Sequence, residues 1–438
     1  MPLPDPMPIT PFDGPLDVVV SLPGSKSITN RALVCAALAD GTSTLSNALH
    51  ADDTEAMVEG LRALGAAIDA DWAAGRLSVT GTAGRPVSDV AIVDARQSGT
   101  TSRFLLPIAG LGEGHRRVDA SNRMRERPMS EVLDAVRALG AEVHDVGAPG
   151  HLPVEVIGGT LAGGEVAVRG DVSSQFLSGL LLAGPAMRTG LVARLIGDLV
   201  SEPYVAMTVS VMASFGVRVG RPDDRTWVVE PQTYRPIDLS IEPDASAASY
   251  VFAAAALLGG RATVAGLGDG SLQGDLAFVD VLERMGASVR HSGTATTLTG
   301  TGALRGVEVE MSQISDTAPT LAVVAAFADG PTRITGIGFI RGKETDRVGN
   351  VVAELRRLGI EAEEEPDGFV VHPGPLGSAT VQTYDDHRMA MAFALAGLRV
   401  DGVQIADPSC VAKTFPGYWR LLEELRDLPE AGAMVRRP

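Results

Sequence analysis

The chain has 438 residues, 45 % hydrophobic and 21 % charged, values of a folded globular protein rather than a disordered one. Its formal net charge of −17 argues against nucleic acid or an anionic membrane as partner, since both call for a basic footprint. Cys35 and Cys410 are the only cysteines, which excludes a disulfide framework or a cysteine-ligated zinc cluster and suits a reducing, cytoplasmic setting.

Residues 1–15 carry six prolines and lack the basic and apolar regions of a signal peptide. A β-patterned stretch, Leu16–Leu22, follows. Then one pattern recurs six times: a polar opening, an apolar helical run and a closing glycine. The segments are Ser25–Gly41, Ser98–Gly114, Ser173–Gly190, Asp244–Gly260, Ser315–Gly330 and Asp386–Gly402. The closing glycines lie 73, 76, 70, 70 and 72 residues apart. Ser or Asp at each opening predicts a helix N-cap, and each glycine a left-handed C-cap.

A short strand is expected after each run: Thr42–Leu45, Arg116–Val118, Leu191–Leu195, Ala262–Val264, Thr332–Ile334 and Val403–Ile405. A second helix is expected next, over Thr54–Gly65, Met129–Gly140, Pro203–Gly216, Leu276–Gly286, Thr345–Gly359 and, shorter, Tyr418–Leu425. A unit of about 70 residues is too long for the common solenoid repeats. Six copies point to a pseudo-symmetric α/β protein, with apolar helices enclosed by sheets. Three copies per domain is the natural division. It gives an N-terminal globule over 23–236 and a C-terminal one over 237–438, with the boundary near Gln232–Pro236. No apolar run nears the roughly 18 residues of a membrane helix.

Basic residues collect where these helices begin: Lys26, Arg31, Arg103, Arg127, Lys343, Arg347, Arg388 and Lys413. Helix N-termini present free N–H groups and a positive dipole end, so the pattern suggests a site for phosphate and carboxylate groups. For any one of these residues a surface ion pair is the plainer reading. The clusters Lys343–Arg347 and Asp386–Arg388 favour function, because charges beside an apolar helix are costly unless paired or solvated. Other motifs fail. Gly24-Ser-Lys-Ser lacks the glycine spacing of a phosphate-binding P-loop, and there is no GxGxxG, HExxH or GxSxG in a workable place.

Eight pieces in chain order resemble the 5-enolpyruvylshikimate-3-phosphate synthase family of enolpyruvyl transferases. They are Pro23-Gly-Ser-Lys-Ser with Asn30-Arg31, Ser98-Gly-Thr-Thr with Arg103, Glu126-Arg-Pro128, Ser173-Ser-Gln175, Ser201 with Pro203-Tyr204, Lys343-Glu-Thr-Asp-Arg347, Asp386-His-Arg-Met-Ala390 and Lys413-Thr-Phe-Pro416. The resemblance implies two globules, each of three βαβαββ-like units in an inside-out α/β barrel, with the substrate site in the cleft between them. It assigns residues 1–22 to the C-terminal globule. It implies transfer of the enolpyruvyl group of phosphoenolpyruvate to the 5-hydroxyl of shikimate 3-phosphate, on the pathway to chorismate and the aromatic amino acids. The route is addition then elimination, with no metal or organic cofactor.

By the same resemblance shikimate 3-phosphate is held by Lys26, Ser27, Arg31, Ser173, Ser174, Gln175, Ser201, Tyr204, Asp316 and Lys343. Phosphoenolpyruvate is held by Lys26, Gly99, Arg127, Gln175, Arg347, His387, Arg388 and Lys413. Asp316 is expected as base at the 5-hydroxyl and Glu344, assisted by Lys26, as the proton carrier at the methylene carbon. The plainer readings are a helix N-cap for Asp316 and an ion pair for Glu344. Phe339 stands where many members have Asn, Gln97-Ser98 replaces Asn-Ala, and Phe104 replaces a Pro. Gly99 is kept and implies room for glyphosate, in competition with phosphoenolpyruvate. The related UDP-N-acetylglucosamine enolpyruvyl transferases usually carry a reactive Cys in a mobile loop; the corresponding residues 112–127 here have none. A non-catalytic anion-binding protein is the third reading. The partners expected are the two small-molecule substrates, in a cytoplasmic monomer.

Overall fold

In the computed structural model, which describes residues 3–427 and the backbone of 433–436, five of the six repeat helices start on a side-chain cap. Ile28 N–H donates to Ser25 Oγ (3.4 Å), Thr101 N–H to Ser98 Oγ (3.1 Å) and Gln175 N–H to Ser173 Oγ (3.3 Å). Ala247 N–H donates to Asp244 Oδ1 and Arg388 N–H to Asp386 Oδ1, both at 2.9 Å. Each bond satisfies one of the orphan donors of a helix start, worth about 1 kcal/mol. The fifth helix differs. It enters through a 3₁₀ turn, Ser315–Thr317, and runs over Ala318–Ala325 with no side-chain cap. The helices are apolar all round and buried all round: in Ala245–Leu258 only Ser246 and Leu258 are not buried.

The closing glycines mostly adopt positive φ, as Gly41 (129°) and Gly190 (68°) show, but Gly330 does not. They turn the chain into the following strand rather than cap the helix, which ends earlier: at Leu38 before Gly41 and at Ala109 before Gly114. Gly259 (φ 74°) is the C-cap of Ala245–Leu258.

Every repeat builds one sheet on the same plan. In the second, third, fifth and sixth repeats the strand before the helix lies parallel to the strand after it, as a β–α–β crossover requires; the first and fourth repeats exchange their leading strands and keep the same parallel pairing. Where two later strands follow, they add an antiparallel pair. Residues 24–241 form one compact unit with three four-stranded sheets. Their strand orders are Asp238–Ser240, Thr42–Ser46, Arg76–Thr80, Ala67–Asp71; then Val90–Asp94, Gly114–Asp119, Val154–Gly158, Glu142–Asp145; then Gly164–Arg169, Leu191–Ile196, Thr226–Val229, Gly220–Asp223. Alternation along the strands turns one face to the unit's own hydrophobic core.

Residues 1–23 and 242–438 form the other unit, with its own core. One sheet runs Ser288–Ser292, Ala295–Gly300, Gly260–Ala265, Leu16–Ser21, Ala433–Arg436. A second runs Glu308–Glu310, Thr332–Thr335, Gly368–Val371, Ala362–Glu365, and a third Met7–Pro8, Gln404–Ile405, Thr380–Val381.

The units divide at Ile241/Glu242 and at Pro23/Gly24, not at 236/237 and 22/23. The cause is strand pairing. Asp238–Ser240 lies parallel on Thr44–Ser46 and completes the first repeat's sheet, so residues 237–241 belong with 24–236. Leu16–Val20 takes the equivalent place beside Gly260–Val264 in the fourth repeat. No helix among the described residues is long and apolar enough to cross a membrane.

Candidate active site

In the 24–241 unit, the caps put the chemistry-bearing side chains in the first turns. Lys26 opens the first helix, and its Nζ lies 3.4 Å from the buried carboxylate of Asp53 in the first turn of Asp52–Ala63. Arg31 sits a turn further on, buried. Its Nε donates to Thr208 Oγ1 (2.7 Å), Nη1 to Ser27 O (3.0 Å) and Nη2 to Tyr204 O (3.0 Å). Its guanidinium also lies 5.1 Å from the Phe104 ring and 5.9 Å from that of Tyr204. Burial pulls it down to about 10, against the pull of Tyr204 and Cys35, so it remains charged at neutral pH. Arg31 therefore ties Ser27 in the first repeat to Tyr204 in the third.

A second group forms around Gly99. Arg103 Nη1 donates to Gln175 Oε1 (2.7 Å), and Gln175 Nε2 donates to Thr100 Oγ1 (3.2 Å). A Cβ on Gly99 would lie 3.1 Å from both terminal nitrogens of Arg127 and 3.2 Å from Arg103 Nη1. The missing side chain is what allows two guanidinium groups to approach the start of this helix. Ser173 and Ser174 are buried at the start of the third helix, where Ser173 serves as cap. Ser201 holds a left-handed conformation (φ 54°) ahead of Glu202–Ser214.

In the other unit, the side chains converge on Arg347, which is buried. Its Nε and Nη2 donate to the two oxygens of Asp386 (2.7 and 3.1 Å), Nη1 to Asp316 Oδ1 (3.2 Å) and Nη2 to Glu344 Oε2 (2.7 Å). Arg388 Nη2 reaches the other oxygen of Asp316 at 2.6 Å, and Lys413 Nζ lies 3.6 Å from Glu344 Oε1. Burial works against the charge on Arg347, but Asp386, Glu344 and Asp316 together hold its pKa above the usual arginine value. Asp316 does not cap its helix; it bridges Arg347 and Arg388. Lys343 Nζ stands 5.8 Å from the Phe339 ring, a cation–π contact where an Asn would offer a hydrogen bond.

His387 is buried, and neither ring nitrogen has a hydrogen-bond partner among the described residues. Burial holds it well below the ordinary histidine value; Glu344 opposes this, while Arg388, Lys413 and Arg347 add to it. The ring is neutral when folded, whereas an unfolded histidine takes a proton below about pH 6.5. Its contribution to stability is therefore complete above that pH and is lost as pH falls below it. Denaturation midpoints should decline between pH 6.5 and 5, with up to about 1.4 kcal/mol per pH unit due to this ring. His387→Gln should flatten that slope; coincident slopes would remove His387 as the source.

Sequence reasoning missed three members of these groups, Asp53, Thr208 and Ser246 (3.5 Å from Arg388 Nη2), and the double role of Asp386 as cap and ion-pair partner. Asp386 carried a signal, as the cap residue next to His387-Arg388. Thr208 carried none, being one residue inside an apolar helix.

The chain matches the family model described as "EPSP synthase (3-phosphoshikimate 1-carboxyvinyltransferase)" over residues 12–422. It is 43 % identical over 416 residues to a 3-phosphoshikimate 1-carboxyvinyltransferase of Nostoc punctiforme, covering 95 % of this chain and 98 % of the relative. It is 44 % identical over 412 residues to one from Methanosphaerula palustris, covering 93 % and 97 %. In fold it is similar to EPSP synthase from Acinetobacter baumannii, with a TM-score of 0.80 at 24 % identity over 98 % of both chains.

Proposed function

The chain belongs to the EPSP synthase family, and from that premise we propose that it transfers the enolpyruvyl group of phosphoenolpyruvate to the 5-hydroxyl of shikimate 3-phosphate and releases phosphate. The observation that carries the residue roles is the placement of Asp316 and Glu344 on a single guanidinium, that of Arg347. Addition needs a base for the hydroxyl and an acid for the methylene carbon; elimination needs that carbon's proton back and a site for phosphate. In this reading Asp316 takes the hydroxyl proton as the oxygen attacks C2 of phosphoenolpyruvate. Glu344, assisted by Lys26, protonates the methylene carbon. The tetrahedral intermediate then loses phosphate as Glu344 recovers a proton from the methyl group.

The anions are assigned to the basic groups. Ser27, Ser173, Ser174, Gln175, Ser201, Tyr204 and Lys343 take shikimate 3-phosphate, with Arg31 holding Ser27 and Tyr204 in place. Lys26, Gly99, Arg127, Gln175, Arg347, His387, Arg388 and Lys413 take phosphoenolpyruvate. Each step is served by side chains, so the scheme calls for no cofactor. The proposal includes a cytoplasmic setting, which two free, buried thiols suit, and action as a monomer.

The alternative acceptor, UDP-N-acetylglucosamine, is the less favoured. Burial raises the pKa of both Cys35 and Cys410 above the ordinary thiol value, so neither offers a reactive thiolate. Phosphate release measured in metal-free buffer with each acceptor is the test. Release only with shikimate 3-phosphate is expected; release only with the nucleotide sugar overturns the proposal.

Gly99→Ala should push Arg127 out of line. The KM for phosphoenolpyruvate is expected to rise about tenfold, equivalent to roughly 1.4 kcal/mol, and glyphosate inhibition to weaken with it. An inhibition constant unchanged in this variant would separate Gly99 from the binding of either anion.

A further inference from the structure

We propose that a cavity in the 24–241 unit, at the opposite end of its repeat helices from the residues above, binds an α-amino acid with an apolar side chain. The cavity has a volume of about 640 Å³, within the roughly 300–1,000 Å³ range of small-molecule sites. Helix Gly99–Ala109 fixes its distance from the transferase residues. Gly99 starts that helix and Gly110, its C-cap, lines the cavity, so about 16 Å of helix separates them. The inference is independent of the transferase reading.

The charges on the wall specify the ligand. Arg85 and Arg188 both line the cavity and are exposed. Among the described residues neither forms a side-chain hydrogen bond or ion pair, in a chain of net charge −17. Arginine's forked donors suit a carboxylate. Glu113 also lines the cavity with no side-chain partner among the described residues, and the C-terminal end of the Gly99–Ala109 helix adds a negative dipole end. Both favour an ammonium group. Asp89, the other acid on the wall, acts on the buried Arg116. Val87 (66 % exposed), Leu111 and Leu161 supply an apolar surface. One ligand that uses all three features is an amino-acid zwitterion with a hydrophobic side chain.

The walls are held in place before any ligand arrives. Arg116 is buried in the strand Gly114–Asp119. Its guanidinium donates to the carbonyls of Pro86 (3.3 Å) and Ser88 (3.1 Å) on one wall and of Leu111 and Gly112 (both 2.9 Å) on the other. Gly112 (φ 53°) allows the two walls to meet, since a Cβ there would lie 2.4 Å from Pro86 O.

The test is calorimetric titration of the full chain with L-phenylalanine, 3-phenylpropionate and phenethylamine. L-Phenylalanine is expected to bind with one-to-one stoichiometry, and the two analogues, each lacking one charge, at least about tenfold more weakly. The double variant Arg85→Ala, Arg188→Ala should weaken L-phenylalanine by at least about tenfold, Glu113→Gln should weaken it less, and turnover without amino acid should be unchanged in both. Saturating phosphoenolpyruvate with shikimate 3-phosphate should not displace it. Absence of saturable binding by both L-phenylalanine and L-leucine at millimolar concentration, equal binding by the double variant, equal binding of 3-phenylpropionate, or displacement by the substrates would each overturn the proposal.

Discussion

Exchanging Asp316 for Asn is expected to lower kcat by about 10²–10⁴-fold, the usual contribution of a positioned general base, while shikimate 3-phosphate still binds within about tenfold of wild type. Asn keeps the shape of the side chain, and its carbonyl oxygen can still accept from Arg347 or Arg388, which hold Asp316 at 3.2 and 2.6 Å. What it loses is the capacity to take a proton. Steady-state kinetics with direct measurement of substrate affinity separates the two effects. A kcat within about tenfold of wild type would remove Asp316 as the base. A non-catalytic anion-binding protein would show the affinity and have no turnover to lose.

Replacing Asp386 by Ala should destabilise the unit of residues 1–23 and 242–438 by up to about 3–5 kcal/mol, because a buried guanidinium loses its two-pronged partner and keeps only its bonds to Asp316 and Glu344. Asp386 is fully buried, takes two bonds from Arg347 and caps His387–Gly397; the lost cap adds about 1 kcal/mol. The exposed pair Arg261–Asp17 has similar geometry, 2.9 Å between charged atoms, yet Asp17→Ala should cost under about 1 kcal/mol. Urea denaturation of both variants makes the comparison. Asp386→Asn, which keeps the cap, should fall between them. A midpoint for Asp386→Ala as high as that for Asp17→Ala would show that the pair does not hold this unit together.

The starts of the repeat helices were legible in the sequence because an N-cap is local. Ser25, Ser98, Ser173, Asp244 and Asp386 need only reach an N–H two or three residues on, and all five do. Asp316 looked the same in sequence and behaves differently, because its helix is entered through a 3₁₀ turn and two arginines far along the chain compete for the carboxylate. Asp238–Ser240 could not be read as a strand: three residues carry no periodicity, and their partner strand, Thr42–Ser46, lies nearly two hundred residues earlier. Arg116 read as an ordinary strand residue, since its bonds run to backbone carbonyls, which any sequence supplies. The candidate site was legible as residue types at helix starts. Its wiring, Arg31 onto Thr208 or Arg103 onto Gln175, was not, because those pairs meet only through the packing of different repeats.

Leu16–Ser21 sets a timetable for synthesis of the chain. The strand leaves the ribosome early, carrying Leu16, Val18 and Val20, all destined for the interior, but its partner Gly260–Ala265 is made roughly 240 residues later. At about 5–20 residues per second the wait is roughly 12–50 s. Throughout it, an apolar strand with open edges stands ready to pair with any neighbouring chain. Residues 24–241 can meanwhile complete their own three sheets, the first of them only when Asp238–Ser240 appears. The nascent chain thus carries a finished globule flanked by a tethered, unpaired strand, and the second globule closes on a segment made before the first. Chaperone demand in the cell should follow that interval, and codon changes that slow translation between residues 24 and 260 should lower soluble yield without altering the folded enzyme.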